Sequence, residues 1–289
     1  MKPRIYDCFC YFNEDMILEL RLETLWNHVD FFVISEAVYT QTGNLKPLNF
    51  DIGRFAKYKD KIRYLVVDHF PPGEQGFWKN ENYQRNFVIN GLFDASPDDW
   101  ILVSDLDEIP RPETIASFDP TRYLRGDFQQ RPYAYFLNNL AVEGDKPAKW
   151  PGSKVTTFRS LKAFFGNATA VRSYKSAGIF RSIKRSFFRQ FQVQHIAEGG
   201  WHFTWIMKPE KIVLKMESIA EQEFVREERK DVRYIDSTIR SGRCVLNDKS
   251  RFQSQVVDRK QFPAYLVAHQ ADKYADWLLP PEGSLAPQL

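Results

Sequence analysis

Two carboxylates stand at positions i and i+2 directly behind an apolar run: Asp105 and Asp107, after WILVS at 100–104. In an extended chain alternate side chains share a side, so these two can point together while Leu106 points inward. Hard cations such as Mg²⁺ and Mn²⁺ take oxygen ligands, commonly one or two carboxylates with phosphates and water completing the shell. A cation held there could neutralise the charge that builds on a departing diphosphate. On the tripeptide D-x-D alone, a solvated acidic turn is the better reading. The longer pattern is more specific: an apolar strand, D-x-D, Glu108, then Ile109-Pro110-Arg111-Pro112. Phosphatases that form an aspartyl-phosphate also begin with strand-D-x-D. They place it on the first strand, with small hydroxyl residues after it; here the strand is a late one and Glu-Ile-Pro follows.

The elements that would position this run alternate. A buried strand is expected at 5–12, then a helix capped by Asn13, with Glu14 and Asp15 in its first turn and Met16, Ile17, Leu20 and Thr24 at helical spacing. Further strands are expected at 30–37 and 62–69, a helix at 80–93, and the strand at 100–104 that ends on the aspartates. This order predicts an α/β fold with a mostly parallel central sheet and helices on both faces. Ligands bind beyond the carboxyl ends of such strands, where the SDLDE run of 104–108 lies. The later half is less regular. One or two strands are expected at 128–140, two short strands around a Gly199-Gly200 turn at 192–206, and helices at 209–224 and 227–241, the second stopped by Gly242. No repeat, low-complexity tract or linker divides the chain, so the expectation is one domain over 1–289.

Composition narrows the class. With 43% hydrophobic and 27% charged residues the chain can bury a full core. Aromatics reach 15%, enough to build a core and still leave rings that stack on sugars. Three cysteines, Cys8, Cys10 and Cys244, make no disulfide framework, and the first two read as buried reduced thiols. No apolar run is long enough to span a bilayer, which suggests a cytoplasmic protein. The net charge of +3 hides an asymmetry: residues 146–197 hold eleven Lys and Arg and no Asp or Glu, so the remainder carries −8. A one-signed stretch of this length suggests a polyanionic neighbour. Within it Phe180, Ile183, Phe187 and Phe191 fall on one helical face, with Arg181, Lys184, Arg185 and Arg189 largely elsewhere. That pattern suits peripheral contact with an anionic membrane or with a pyrophosphate-linked acceptor. No nucleic-acid-binding motif is present.

The ordered motifs carry a resemblance. YDCFCYFNED at 6–15, ELRLETL at 19–25, VISEAVYTQTGNLKPL at 33–48, WKNENYQRN at 78–86, DDWILVSDLDEIPRP at 98–112, GGWHFTW at 199–205 and the helix KMESIAEQEF together resemble glycosyltransferase family 17. The resemblance implies a GT-A-type nucleotide-sugar-binding fold, an inverting mechanism, Mn²⁺ or Mg²⁺, and UDP-N-acetylglucosamine as donor. A glycan or lipid-linked acceptor is then expected. Residues 1–112 would form the donor and metal half and 113–289 the acceptor half. A non-catalytic carbohydrate- or nucleotide-binding protein on the same scaffold is the alternative.

The resemblance also implies roles. Asp107 would ligate the metal directly, Asp105 would hold the ribose or a metal-bound water, and His202 would complete the metal site from the distant GGWHFTW segment. Glu36 and Thr40 follow the second strand, where a GT-A fold holds base and ribose. Arg85 can reach the diphosphate bidentately or pair with Glu81 one helical turn away. Trp201 could form a sugar-stacking wall. An inverting transfer needs a carboxylate base on the acceptor side. Glu198 is the expected base, with Glu217 and Glu223 as alternatives and Glu143 as the fourth candidate.

Overall fold

The computed structural model describes residues 2–73, 76–174, 193–218, 226–247 and 250–280. The first 105 residues build four parallel strands. They are β1 (Ile5–Cys10), β2 (Phe31–Ala37), β3 (Ile62–Val67) and β4 (Trp100–Asp105), in the order β3-β2-β1-β4. Helix α1 (Asp15–Leu25) joins β1 to β2, and α2 (Phe77–Phe87) with a following 3₁₀ turn at Val88–Leu92 leads into β4. Alternation along the strands feeds two cores. Phe9, Phe32, Ile34 and Leu102 pack with α1 on one face. Tyr6, Cys8, Val33, Ile101 and Val103 pack on the other with Val88 and Leu92 of the 3₁₀ turn. This two-sided burial is why the strands read as continuous apolar runs.

The parallel half matches the expected α/β arrangement, and the sheet then continues as a mixed one. Strand β5 (Glu108–Pro110) and the single turn α3 (Pro112–Ile115) follow the aspartates directly. Then come β6 (Arg125–Ala134), β7 (Asn139–Glu143), β8 (Lys146–Pro147) and β9 (Trp150–Thr157). Strand β9 runs antiparallel between β4 and β6 and so continues the sheet outward from the aspartate strand. A short turn α4 (Phe158–Ser160), a π-helical turn at Leu161–Phe165 and helix α5 (Ala168–Ser173) lead back to the second face, where Leu161, Phe165, Ala168 and Val171 join its core. The segment 192–206 is not two strands around a turn. It is one long strand, β10 (Val193–Thr204), parallel to β6 and antiparallel to β5, with a bulge between Ile196 and Gly200. The two glycines serve close approach. A Cβ on Gly200, which sits at φ +129°, would come within 2.1 Å of the Ile109 carbonyl oxygen, and one on Gly199 within 2.7 Å of Phe128.

The last third supplies α6 (Pro209–Ser218), α7 (Val232–Arg240), β11 (Arg251–Ser254) and α8 (Ala264–Ala268). Asp231 caps α7 by accepting from the Tyr234 N–H, and Gly242 at φ +66° ends it as expected. Helix α1 differs from expectation at its start: Glu14, not Asn13, is its cap residue and makes no side-chain cap bond. Cys8, Cys10 and Cys244 are free thiols, and burial pushes Cys10 up to about 11. No helix among the described residues is long and apolar enough to cross a membrane.

Candidate active site

The carboxyl ends of β1, β2 and β4 open into a cavity of about 690 Å³. It is lined by Tyr11, Tyr39, Thr40 and Gln41, which follow β1 and β2, by Asp105 and Asp107 at the end of β4 with His202 as its floor, and by Glu143, Lys149 and Trp150 of the segment from β7 to β9. The floor is shaped from beneath by Arg21 of α1, which is fully buried. Its Nη1 donates to the carbonyl oxygens of Asp105, Leu106 and Glu108 at 3.0, 2.9 and 2.9 Å. Its Nε and Nη2 donate to the two oxygens of buried Asp7 at 2.7 and 2.6 Å, and Nη2 also to Ser104 Oγ at 2.5 Å. One guanidinium thus satisfies three inward carbonyls of the SDLDE run and frees its aspartates to project into the cavity.

The two aspartates have different surroundings. Asp105 accepts from Arg85 Nη2 at 2.7 Å with one oxygen and from Arg172 Nη2 at 2.8 Å with the other. Burial alone would push its carboxyl up; Arg172 and Arg85 override that and hold it well below the usual carboxylate range. Asp107 makes no side-chain hydrogen bond among the described residues. Burial, with Asp105 and Glu108 adding to it, pushes its carboxyl above the usual range despite nearby His202 and Lys215. A buried carboxylate that faces a cavity and makes no hydrogen bond among the described residues suits a cation.

His202 Nε2 lies 3.6 Å from Asp107 Oδ1. The β10–β5 pairing produces this meeting by setting His202 opposite Glu108, 94 positions earlier in sequence. The ring is fixed by stacking on Trp150, with centroids 4.6 Å apart and 20° between planes. Its Nδ1 is buried and has no hydrogen-bond partner among the described residues. Asp107 and His202 therefore fit two adjacent positions around one divalent ion, with substrate oxygens and water for the rest. Asp105 differs from Asp107 in that each of its oxygens already accepts one arginine N–H, which leaves one lone pair on each for a further partner. No group of three or more His, Cys, Asp or Glu side chains among the described residues has a metal-holding arrangement.

The other expected positions divide. Thr40 lines the cavity, its hydroxyl 2.9 Å from that of Thr42 and accepting from the Asn44 N–H. Arg85 makes the expected pair with Glu81 at 2.6 Å and, in addition, donates to Asp105 at 2.7 Å on the cavity floor. Glu36 is instead a structural staple. It is fully buried and accepts from Lys46 Nζ, the Asn49 and Phe50 N–H groups and the Tyr64 hydroxyl, which leaves it no capacity for a nucleotide. Glu36→Gln is accordingly expected to cost about 2–3 kcal/mol of stability, seen as a lower urea midpoint. It should leave nucleotide affinity unchanged; an unaltered midpoint would refute this role.

Glu198 is not at the cavity. It sits in the β10 bulge at φ +48°, is 63% exposed at its side chain, and pairs with Arg131 at 2.9 Å. Strand geometry explains this: four residues of extended chain separate it from His202 by about 13 Å. Glu217 is half-exposed and faces Lys230 at 4.0 Å. Glu223 lies outside the described residues. Glu143, the fourth candidate, is on the cavity wall and forms no ion pair among the described residues. Trp201 is core: it is 2% exposed, and its Nε1 donates to the Gln261 carbonyl at 2.6 Å.

Sequence reasoning missed Arg172, Trp150 and the role of Glu108. Buried Glu108 accepts from Arg172, from Trp150 Nε1 at 2.7 Å and from the Asp105 N–H at 3.0 Å. Burial would raise its carboxyl, and Arg172 reverses that. Arg172 belongs to the basic stretch, which is partly consumed inside the protein. Lys154 pairs with buried Asp127 at 3.3 Å, whereas Arg159 makes an exposed surface pair with Asp98 at 2.9 Å. The apolar face proposed around Phe180 to Phe191 lies outside the described residues.

The comparisons agree with the motifs. Residues 1–121 match the family model of glycosyltransferase family 17. The beta-1,4-mannosyl-glycoprotein 4-beta-N-acetylglucosaminyltransferases of Rattus norvegicus and Homo sapiens are each 27% identical, over 80% of this chain and 46% of theirs. That of Mus musculus is 28% identical with the same coverage. The chain spans about half the length of these curated relatives. Among solved structures, a 4-diphosphocytidyl-2C-methyl-D-erythritol synthase is 15% identical with a TM-score of 0.34, over 60% of this chain and 85% of that one. A glycosyltransferase involved in the glycosylation of the major capsid of PBCV-1 is 15% identical with a TM-score of 0.32, over 67% of this chain and 82% of that one. Over its first 121 residues, which hold β1 to β5 and the aspartate floor, the chain is similar to glycosyltransferase family 17.

Proposed function

We propose that this chain is a divalent-metal-dependent, inverting glycosyltransferase that moves N-acetylglucosamine from UDP-N-acetylglucosamine to a glycan or lipid-linked acceptor. The observation that carries the reading is the meeting of Asp107 and His202, 3.6 Å apart on the floor of a large cavity at the carboxyl ends of parallel strands. The nucleotide lies at the Tyr39–Gln41 side and the diphosphate over Asp107. A divalent ion bound by Asp107 and His202 would neutralise charge on the departing diphosphate. Arg85 and Arg172 hold Asp105 in place beside it.

Glu143 takes the role of base, on the side of the cavity away from the nucleotide. It accepts the proton of the acceptor hydroxyl as that oxygen bonds to the anomeric carbon. The bond from that carbon to the phosphate oxygen breaks at the same time, and its electron pair leaves with UDP, inverting the centre. Glu143→Gln is expected to lower transfer by roughly 10²- to 10⁴-fold while UDP affinity stays unchanged. Near-normal transfer by that variant would remove Glu143 from the mechanism.

The reading as a whole is tested by incubating the protein with a panel of UDP-sugars and Mn²⁺, with and without candidate acceptors. UDP release that selects N-acetylglucosamine and stops in excess EDTA is the expected result. UDP-sugar binding without any hydrolysis or transfer would instead identify a non-catalytic binding protein on this scaffold.

A further inference from the structure

Trp150 is held in an unusual way for a residue on a cavity wall. One face of its indole is stacked on His202 at 4.6 Å, and its Nε1 donates to buried Glu108 at 2.7 Å. Its backbone is in register with Gln130 in β9. These constraints fix the ring, yet the residue remains 40% exposed. With His202 covering one face, that exposure falls on the other face and the edge, toward the cavity that Trp150 lines. A large apolar ring immobilised by two specific contacts and left open to a cavity is built for a ligand with an apolar face.

Its position says which part of a ligand arrives there. The sheet order β2-β1-β4-β9 sets Trp150's strand three steps from β2, whose carboxyl end leads to Tyr39 and Thr40. At about 4.8 Å per step this is about 14 Å, with the Asp107–His202 pair between the two ends. A nucleotide sugar has the same linear order: base and ribose, then diphosphate, then pyranose. With the diphosphate over Asp107, the next ring is the transferred sugar, and it meets Trp150. Resting on the donor reading proposed above, we infer that Trp150 is the platform for the transferred pyranose, its open indole face taking the apolar C–H face of the sugar.

The same stack couples Trp150 to His202, so the test must separate a sugar contact from an effect on the metal pair. UDP lacks the sugar and UDP-N-acetylglucosamine has it. Calorimetric titration of both, in Mn²⁺, makes the separation. Trp150→Ala is expected to weaken UDP-N-acetylglucosamine by about tenfold and UDP by less than about twofold. Trp150→Phe keeps a ring but loses the bond to Glu108, and is expected to bind the sugar nucleotide within about threefold of wild type. Its thermal midpoint and that of the alanine variant show whether both fold. Equal weakening of the two nucleotides by Trp150→Ala would show that the residue acts only through His202, and an unchanged sugar-nucleotide affinity would show no sugar contact; either overturns the inference. If the wild-type protein binds neither nucleotide in Mn²⁺, the donor reading fails, and this inference with it.

Discussion

Arg21→Met is expected to lower stability by about 3–5 kcal/mol, a fall in thermal midpoint of order 10 °C, and to abolish Mn²⁺-dependent activity in whatever fraction still folds. The size follows from what the guanidinium touches. Its removal leaves Asp7 as an uncompensated buried carboxylate, and it strips the donor from three carbonyls of the SDLDE run and from Ser104. Breaking one side of a buried pair is far more damaging than replacing both, because the remaining group keeps its full desolvation penalty. Arg21→Met with Asp7→Leu should therefore recover part of the stability. Activity should not return, since the carbonyls at Asp105, Leu106 and Glu108 still lack the group that sets their direction. A single variant as stable as wild type, or a double variant with restored activity, would show that Arg21 does not shape the floor.

Arg21 also marks how far the sequence was legible. The ELRLETL helix was visible from its apolar spacing, but a charged residue on its buried face gave no hint of its partners. These are Asp7, one strand earlier, and the carbonyls some 85 positions later. Local pattern found β1 to β4 and placed Asp105 and Asp107 at a strand end, because periodicity and strand–D-x-D spacing are local signals. The meeting of His202 with Asp107 came from the family resemblance, and the β10–β5 pairing accounts for it. Charge counted along the chain carried less information about position. The basic run of 146–197 looked like a surface for an anion, yet Lys154 and Arg172 meet acids of the same protein, Arg172 across 64 and 67 positions. Glu36 ends a buried strand, where a carboxylate needs a partner. The partner proved to be the 46–50 segment and Tyr64, and nothing local distinguishes that from a ligand. Glu198 is close to His202 in sequence, but an extended strand converts that closeness into distance.

Asp107→Asn should separate function from stability most sharply. Its carboxylate faces the cavity without a hydrogen bond among the described residues, and burial raises its pKa in the folded protein. A carboxyl whose folded pKa lies above its unfolded value binds protons more readily when folded, so its ionised form opposes folding once pH exceeds that range. Asparagine removes this penalty at neutral pH. The metal-free variant should therefore match or exceed the wild-type thermal midpoint. Mn²⁺ should raise the midpoint of the wild type by binding the folded state, and that rise should vanish in the variant. Activity should fall by roughly 10³-fold, since a cation at a departing diphosphate contributes several kcal/mol and each 1.4 kcal/mol is a factor of ten. Asp105→Asn provides the contrast. It removes the charge that Arg85 and Arg172 share, so its metal-free midpoint should drop while the Mn²⁺ shift survives, as expected if Asp105 acts mainly by positioning and Asp107 holds the ion. A Mn²⁺ shift abolished by Asp105→Asn and retained by Asp107→Asn would reverse the assignment. The ion would then sit on the carboxylate already shared by two arginines, and the one that makes no hydrogen bond among the described residues would have no role.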